Sequence, residues 1–367
     1  MRSARRGAIL VMHIPDGYLS PSTCAVLYTG AAAGWYSALK RLKRVLLSRI
    51  IPLISVFAAF SFVVMMFNLP LPGGTTGHAL GVTIAAIVLG PSGAILALSI
   101  AIAIQALFFG DGGISTLGAN CFNMAIVGSL VAYASYRLIA AGAALTSRRR
   151  VVAAAIAGYL AVNAAALFAA VEFGIQPALF HDANGTPLYA PYRLSVAIPA
   201  MMIGHLTFAG LAEAVISAGL VAYLQVADPA LLRSTSGVPD DAANAATAER
   251  LAARSIQTLW IAIAALMLVT PVGILAAGTA WGEWSPAQLA KAPAIAQDVN
   301  SPQSVPTGLQ RLSNLWTAPF PAYAPSFVHS RGFGYLLSAM FGVGFLLAAS
   351  LVLRLLLQRH RQRNYSA

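Results

Sequence analysis

The stretch "VVAAAIAGYLAVNAAALFAAV" (residues 151–171) decides the fold class, because it carries no charge over a length that can cross a lipid bilayer. Similar apolar runs recur along the 367-residue chain, of which 58% is hydrophobic and 9% charged. This composition excludes a water-soluble globule. Because a backbone in lipid must satisfy its own hydrogen bonds, such runs predict helices. The expected fold class is therefore all-α, a polytopic membrane helix bundle with about seven spans in an N-terminal core and two more at the C-terminus.

Nine apolar stretches are predicted to span the membrane. They lie near residues 22–39, 50–67, 79–90, 93–109, 119–139, 151–171, 193–224, 255–278 and 333–355. If the first runs from outside to inside, sixteen lysines and arginines fall in cytoplasmic segments and four in external ones. This asymmetry follows the positive-inside rule, so the pI of about 10.2 reflects membrane orientation rather than nucleic-acid binding. We expect a multi-pass protein of the cell inner (plasma) membrane.

The segment before Met12 conflicts with this orientation. Its three arginines would lie outside, where such a cluster is least expected. Its apolar run "GAILVM" is shorter than the core of a signal peptide. We therefore expect residues 1–11 to be a misannotated N-terminal extension and translation to start at Met12. A genuine, flexible extension is the alternative.

A chain that starts Met12-His13 offers three nitrogens from two residues. The free amine, the amide nitrogen of His13 and its imidazole can close adjacent five- and six-membered chelate rings around one metal. One more imidazole completes a planar set of four nitrogens, which suits Ni(II), Cu(II) or Co(II) far better than Mg(II) or Ca(II). We expect His78 to supply it, at the end of the Pro/Gly-rich stretch "NLPLPGGTTGHALGV" (68–82), because irregular backbone at this depth lines a cavity. A capping or packing histidine is the alternative.

A second polar cluster, "QALFFGDGGISTLGANCFNMAIVG" (105–128), interrupts two spans. We expect Asp111, Asn120 and Asn123 to hydrogen-bond the inserted N-terminal segment or the non-ligating nitrogen of His78. Ordinary helix capping is the alternative.

Two further features lie inside predicted spans. Gly30 and Gly34 form a small-xxx-small pattern that favours docking of a partner helix, with internal packing as the alternative. Glu213 is a carboxylate in an apolar span and should face the bundle interior or be protonated. The sequence does not distinguish a structural role for this carboxylate from charge balance at the metal.

The chain contains no CxxC, HExxH, P-loop or GxSxG motif. It is therefore not expected to be an enzyme, and any ATP hydrolysis must occur on a separate ATPase subunit. Two rival classes remain, a secondary divalent-metal transporter and a metal-dependent membrane enzyme. The first would carry paired intramembrane acids and an inverted repeat, and neither is evident. The second would need an acid or base beside an open metal position.

Three motifs in register, "MHIPDGYLSP", "PGGTTGHALG" and "FGDGGISTLGANCFNMAIVG", closely resemble the CbiM/NikM-type substrate-specific (S) components of energy-coupling factor transporters. The resemblance covers about residues 12–225. It implies Co(II) or Ni(II) as transported substrate, captured from outside by Met12, His13 and His78, and no organic cofactor. It also implies two kinds of partner, a CbiQ-like transmembrane scaffold and CbiO-like ATPase subunits, and no nucleic acid.

The chain continues beyond such a component. A polar linker, residues 226–254, is expected to be a flexible cytoplasmic connection. The pieces "TPVGILAAGTAWGEW" and "FPAYAPSF" within residues 255–367 resemble the two-span CbiN/NikN-like accessory subunit. That resemblance implies a role in helping metal to reach the S component.

Overall fold

The computed structural model describes residues 13–42, 47–71, 75–235, 245–275, 282, 284–290 and 305–365. Within these ranges most residues are helical, which confirms the all-α fold class. One short antiparallel hairpin pairs β1 (Leu69–Leu71) with β2 (Thr75–Gly77). The α-helices are α1 (Pro21–Leu42), α2 (Leu47–Met65), α3 (Val82–Ile104), α4 (Leu117–Asn120), α5 (Gly128–Ile139), α6 (Arg148–Leu179), α7 (Leu194–Gly204), α8 (Gly210–Ala227), α9 (Ala245–Val269), α10 (Pro286–Leu289), α11 (Thr307–Leu312) and α12 (Arg331–Tyr365). Short π-helical segments cover Gln105–Phe109, Cys121–Val127 and His205–Ala209, and 3₁₀ turns cover Pro229–Thr235, Thr270–Leu275 and Pro321–Tyr323.

Six helical stretches of the described chain are long and apolar enough to cross a membrane, as a polytopic bundle requires. They are Val82–Phe109, Leu117–Ile139, Arg148–Leu179, Leu194–Ala227, Ile256–Leu275 and Arg331–Val352. A shorter apolar stretch, Ile51–Met65, lies within α2.

The stretch Val82–Phe109 is not a straight rod. Gly90 has φ 71° and ψ 170°, far from helical values, and Pro91 follows it. A straight helix of these 28 residues would be about 42 Å long. Yet His78, before the stretch, and Asp111, after it, both contact His13. The chain must therefore fold back at the bend, so that both ends of the stretch meet at one place.

This bend separates the two segments that the sequence predicts, 79–90 and 93–109. The helical part of the first arm, from Val82 to Leu89, is about 12 Å long, less than half the thickness of the hydrocarbon core. It is thus a short re-entrant arm rather than a complete span. Such an arm is stable in a membrane protein only when other helices enclose it, and nearly all of its residues are buried.

Close helix approach holds the N-terminal core together. Helix α6 packs against α5, α7 and α8. At the α6–α8 contact, a side chain on Gly158 would begin 2.8 Å from Ser217 Oγ and 3.0 Å from the carbonyl oxygen of Glu213. Small residues permit this close approach, the usual means by which helices associate in lipid.

The C-terminal part lies against this core rather than apart from it. Helix α12 packs along α2, where a Cβ on Gly342 would overlap the ring of Phe62. Beyond the helix ends, the Tyr18 hydroxyl donates to the Trp284 carbonyl at 2.6 Å. Segments from the C-terminal part therefore cover the inserted N-terminal residues.

Candidate metal site

The described chain begins with an inserted segment, residues 13–20, in which every residue except Pro15 is buried. The carboxamide of Asn120 hydrogen-bonds to both peptide groups of Ile14, the second residue of this segment. Asn120 Oδ1 accepts from the Ile14 amide at 3.0 Å, and Asn120 Nδ2 donates to the Ile14 carbonyl at 3.1 Å. The amide of Gly113 donates to the same carbonyl at 3.0 Å. These bonds pair the residue after His13 with α4 and with the loop before it.

A second anchor lies two residues further along the segment. Asp16 accepts from the Ser115 amide at 2.7 Å and from the Ile114 amide at 3.2 Å. Gly17 then takes φ +88°, a left-handed conformation that suits glycine, and turns the chain towards α1. The Ser20 amide donates to Gln176 Oε1 at 3.0 Å. The segment is therefore fixed along its length by buried polar contacts.

These anchors bring His13 and His78 together. Their ring centroids are 5.5 Å apart and the rings are nearly perpendicular, at 84°. Both residues are buried, with 2% and 5% of their surface exposed. Since nitrogen–metal bonds are about 2.0 Å long, two nitrogens on one ion lie up to about 4 Å apart. Ring centroids lie behind the ligating nitrogens, so two imidazoles on one ion have a somewhat larger centroid spacing. The contact can place two imidazoles on one ion.

Glu213 fixes the backbone next to His78. Its carboxylate accepts from the amides of Leu80 at 2.7 Å and Gly81 at 2.9 Å, the two residues immediately before α3. Gly81 has φ +66°. A buried carboxylate at a helix N-terminus is stabilised by the aligned peptide dipoles. This is the role that the sequence left undecided, since the partners lie about 130 positions earlier in the chain.

Asp111 contacts the other histidine, not His78. The His13 Nδ1 atom lies 3.3 Å from both Asp111 Oδ1 and the Asp111 carbonyl oxygen. Burial lowers the pKa of His13, but the charge of Asp111 and its hydrogen bonds raise it more, so the pKa lies above its ordinary value. Burial and the nearby His13 lower the pKa of His78 to about 4. His78 is therefore neutral at physiological pH and keeps a lone pair for a metal.

The orientation of the His13 ring has a chemical consequence. Its Nδ1 faces Asp111, whereas Nε2 is buried and has no hydrogen-bond partner among the residues that the structure describes. Only Nδ1 can close a six-membered chelate ring with the amide nitrogen of the same residue. The predicted chelate therefore requires Nδ1 to exchange Asp111 for the metal.

Tyr323, from the C-terminal part, reaches the other side of Asp111. Its hydroxyl donates to Asp111 Oδ2 at 2.6 Å and accepts from Gln105 Nε2 at 3.0 Å. Burial and the charge of Asp111 raise the pKa of Tyr323 well above its usual value, so the hydroxyl keeps its proton and acts as a donor. The sequence offered no signal for this contact beyond the aromatic residue in "FPAYAPSF".

The structure places the remaining candidates elsewhere. Asn123 does not reach the inserted segment but donates to Glu172 Oε2 at 2.8 Å. Gly30 faces Phe122 and Gly34 faces Ile126, which is the internal packing that the sequence left open. Met12 lies outside the described residues. Within the described ranges, no three His, Cys, Asp or Glu side chains form a metal-binding group, so a site here would depend on backbone and terminal nitrogens as well.

Comparison with known proteins gives two family matches. The family described as "Cobalt uptake substrate-specific transmembrane region" (CbiM) matches residues 13–231, and the family described as "PDGLE domain" matches residues 256–359. The gap between the matches, residues 232–255, overlaps the segment 226–254 that is predicted as a linker.

Named relatives cover most of the chain. A fused nickel transport protein, NikMN, of Rhodobacter capsulatus is 52% identical over 92% of this chain and 95% of its own length. A probable fused nickel transport protein, LarMN, of Lactiplantibacillus plantarum is 42% identical over 76% of this chain and 79% of its own length. A solved structure titled as a truncated transition metal transporter is 52% identical, covers 58% of this chain and 98% of its own, and superposes with a TM-score of 0.54.

Proposed function

Because the chain belongs to the CbiM family of cobalt uptake substrate-specific transmembrane proteins, we propose that it binds Co(II) or Ni(II) from outside the cell through a planar nitrogen site. It is a multi-pass membrane component of a fused NikMN/CbiM-type nickel or cobalt transporter. Its transported substrate in this proposal is the metal ion itself, with no organic cofactor.

The observation that carries the proposal is the buried contact between His13 and His78. In the proposed site, the amine of Met12, the amide nitrogen and imidazole of His13, and the imidazole of His78 bind one ion. Imidazole and amine nitrogens in a plane favour Ni(II) and Co(II) over the abundant hard cations. The amine ligand exists only in a chain whose first residue is Met12.

Charge at the site supports the same assignment. A divalent ion bound to one deprotonated amide keeps a net positive charge, which is costly to bury without a partner. The Asp111 carboxylate, 3.3 Å from His13 Nδ1, is placed to balance it.

In this proposal ATP hydrolysis is carried out by other subunits, because the sequence contains no P-loop. Without a P-loop, the chain needs separate CbiO-like ATPase subunits, coupled through a CbiQ-like scaffold, to form an ATP-driven energy-coupling factor transporter. Residues 12–225 would be the metal-binding S component, 226–254 a cytoplasmic linker and 255–367 an accessory domain. The complex would lie in the plasma membrane with the metal site facing outside.

Metal retention by the purified full chain tests the site. His13→Ala and His78→Ala should each abolish retention of Ni(II) or Co(II), measured by elemental analysis after gel filtration. His181→Ala is the matched control, since His181 is an exposed loop residue that bonds only locally. Retention by both site variants at the wild-type level would refute the proposed ligand set.

A second experiment addresses the amine and the energy source. N-terminal sequencing of the purified chain should give Met12 as first residue, and a variant with one alanine inserted before Met12 should lose metal. Uptake of radioactive metal into vesicles should require co-expressed ATPase and scaffold subunits. ATP-independent uptake by the chain alone would favour a secondary transporter instead.

A further inference from the structure

We propose that Tyr323 is a positioning residue of the metal site, so that the C-terminal part of the chain supplies a side chain that the N-terminal part needs. Its hydroxyl holds Asp111 against His13. This inference rests on the proposed function and names a residue that completes the site from outside the metal-binding half.

The hydroxyl of Tyr323 has both of its roles filled. It donates to Asp111 Oδ2 at 2.6 Å and accepts from Gln105 Nε2 at 3.0 Å. Its ring stacks on Phe109, with centroids 4.8 Å apart and planes 16° from parallel. Only 2% of the surface of Tyr323 is exposed. The hydroxyl is therefore held at one position rather than sampling several.

The backbone of Ala322 and Tyr323 is strained. Ala322 and Tyr323 have φ values of 55° and 56°, in the left-handed region that residues with side chains rarely adopt. Such conformations persist where the surrounding structure determines them, and they cluster at functional sites. One of the two strained residues, Tyr323, is the residue that bonds to Asp111.

Two further bonds attach the same C-terminal segment to the end of the α3 stretch. The Phe320 amide donates to the Phe108 carbonyl at 2.9 Å, and Trp316 Nε1 donates to the Leu107 carbonyl at 3.0 Å. Carbonyls in the last turn of a helix have no partner within it. The C-terminal segment satisfies these carbonyls and thereby fixes the approach of Tyr323 to the site.

The chemical effect passes through Asp111. One carboxylate oxygen contacts His13 Nδ1 and the other accepts from Tyr323. In the proposed metal-bound chain His13 Nδ1 binds the ion in place of Asp111, and the carboxylate beside it balances the charge of the ion. Removing the Tyr323 hydroxyl removes one of the bonds that hold the carboxylate at this position. Loss of a partner of this kind costs about 10- to 100-fold in metal affinity in other proteins.

Tyr323→Phe in the full chain tests the inference, with Tyr335→Phe as matched control. Tyr335 is a buried tyrosine whose ring contacts Tyr323, but its hydroxyl donates to the Met66 carbonyl at 2.8 Å. We expect Ni(II) to dissociate about tenfold faster from the Tyr323→Phe chain, as measured with a competing chromophoric chelator. The control variant should stay within about twofold of wild type.

A double-mutant cycle separates positioning from general destabilisation. In an Asp111→Asn background, Tyr323→Phe should add no further increase in the dissociation rate. If Tyr323→Phe accumulates poorly, Gln105→Met removes the donor to the Tyr323 hydroxyl and should raise the rate in the same direction.

The outcomes are distinguishable. Wild-type dissociation from the Tyr323→Phe chain, or an undiminished effect in the Asp111→Asn background, would overturn this inference and leave the proposed function standing. Failure of the wild-type chain to hold Ni(II) or Co(II) would instead overturn the proposed function itself.

Discussion

Replacement of Asn120 by alanine should release the inserted N-terminal segment and with it the metal. Asn120 is buried and bonds both to the amide and to the carbonyl of Ile14, the residue that follows His13. No other side chain grips both peptide groups of one residue in this segment among the bonds that the structure describes. The clamp is therefore the most direct structural link between the bundle and the proposed ligands.

The size of the effect follows from which groups lose their partners. The Ile14 carbonyl still accepts from the Gly113 amide and the Thr116 hydroxyl, so it stays paired. The Ile14 amide loses its acceptor in a buried place, which costs about 1–3 kcal/mol, and the lost bonds add about 1 kcal/mol. The total loss is about 2–4 kcal/mol. If this loss destabilises the inserted conformation of the N-terminal segment, metal binding becomes roughly 30- to 700-fold weaker.

Equilibrium competition with a chelator of known affinity measures this loss in the full chain. Asn163→Ala is the matched control, because Asn163 is a buried asparagine whose amide donates to the Tyr159 carbonyl one helical turn away. The control should change the thermal midpoint of the metal-free chain without a comparable loss of metal affinity. Metal affinity in Asn120→Ala within about threefold of wild type would refute the clamp, since such a change is below about 0.7 kcal/mol.

Three other predictions follow from the same geometry. Gly112→Ala should weaken metal binding more than tenfold, because Gly112 has φ +86° and a Cβ there would lie 2.9 Å from the His13 Cβ; Gly185→Ala, at φ +79° with open space around it, should cost about 1–2 kcal/mol of stability but no affinity. Glu213→Gln should lower the thermal midpoint of the metal-free chain, since a bond to a charged group contributes about 1.5–3 kcal/mol, and unchanged melting would contradict its capping role. Gly342→Ala should loosen α12 from α2 and lower the thermal midpoint through overlap with Phe62, whereas Gly344→Ala, with nothing near it, should not; equal melting of the two variants would count against that contact.

The sequence was informative where its signal is local. Hydropathy alone predicts the helical membrane fold, because each apolar run must satisfy its own backbone whatever surrounds it. The motifs around His13, His78 and Asp111 identified the family, and the structure brings His78 and Asp111 into contact with His13. Their role as metal-site residues stays a prediction until metal binding is measured.

The sequence was less informative about which neighbour each side chain faces within the bundle. Asn120 and Asn123 share the spacing of one helix face, yet only Asn120 reaches the inserted segment, because a π-helical stretch begins between them and Asn123 turns to Glu172. The Gly30 and Gly34 pattern is the same for a partner helix as for a neighbour within the chain. The pattern therefore could not show that both glycines face the π-helical segment Cys121–Val127 of the same chain.

The sequence by itself determined that this chain is a helical membrane protein of the CbiM family, and it named the groups that the proposed site uses. Only the tertiary structure decided how they meet. The reversal at Gly90 brings His78 and Asp111 to the same histidine, and Tyr323 reaches Asp111 across 212 positions of the chain. Hydropathy and motif spacing report the local environment that each segment requires. Contacts between distant segments arise from packing of the whole bundle, which no local pattern contains.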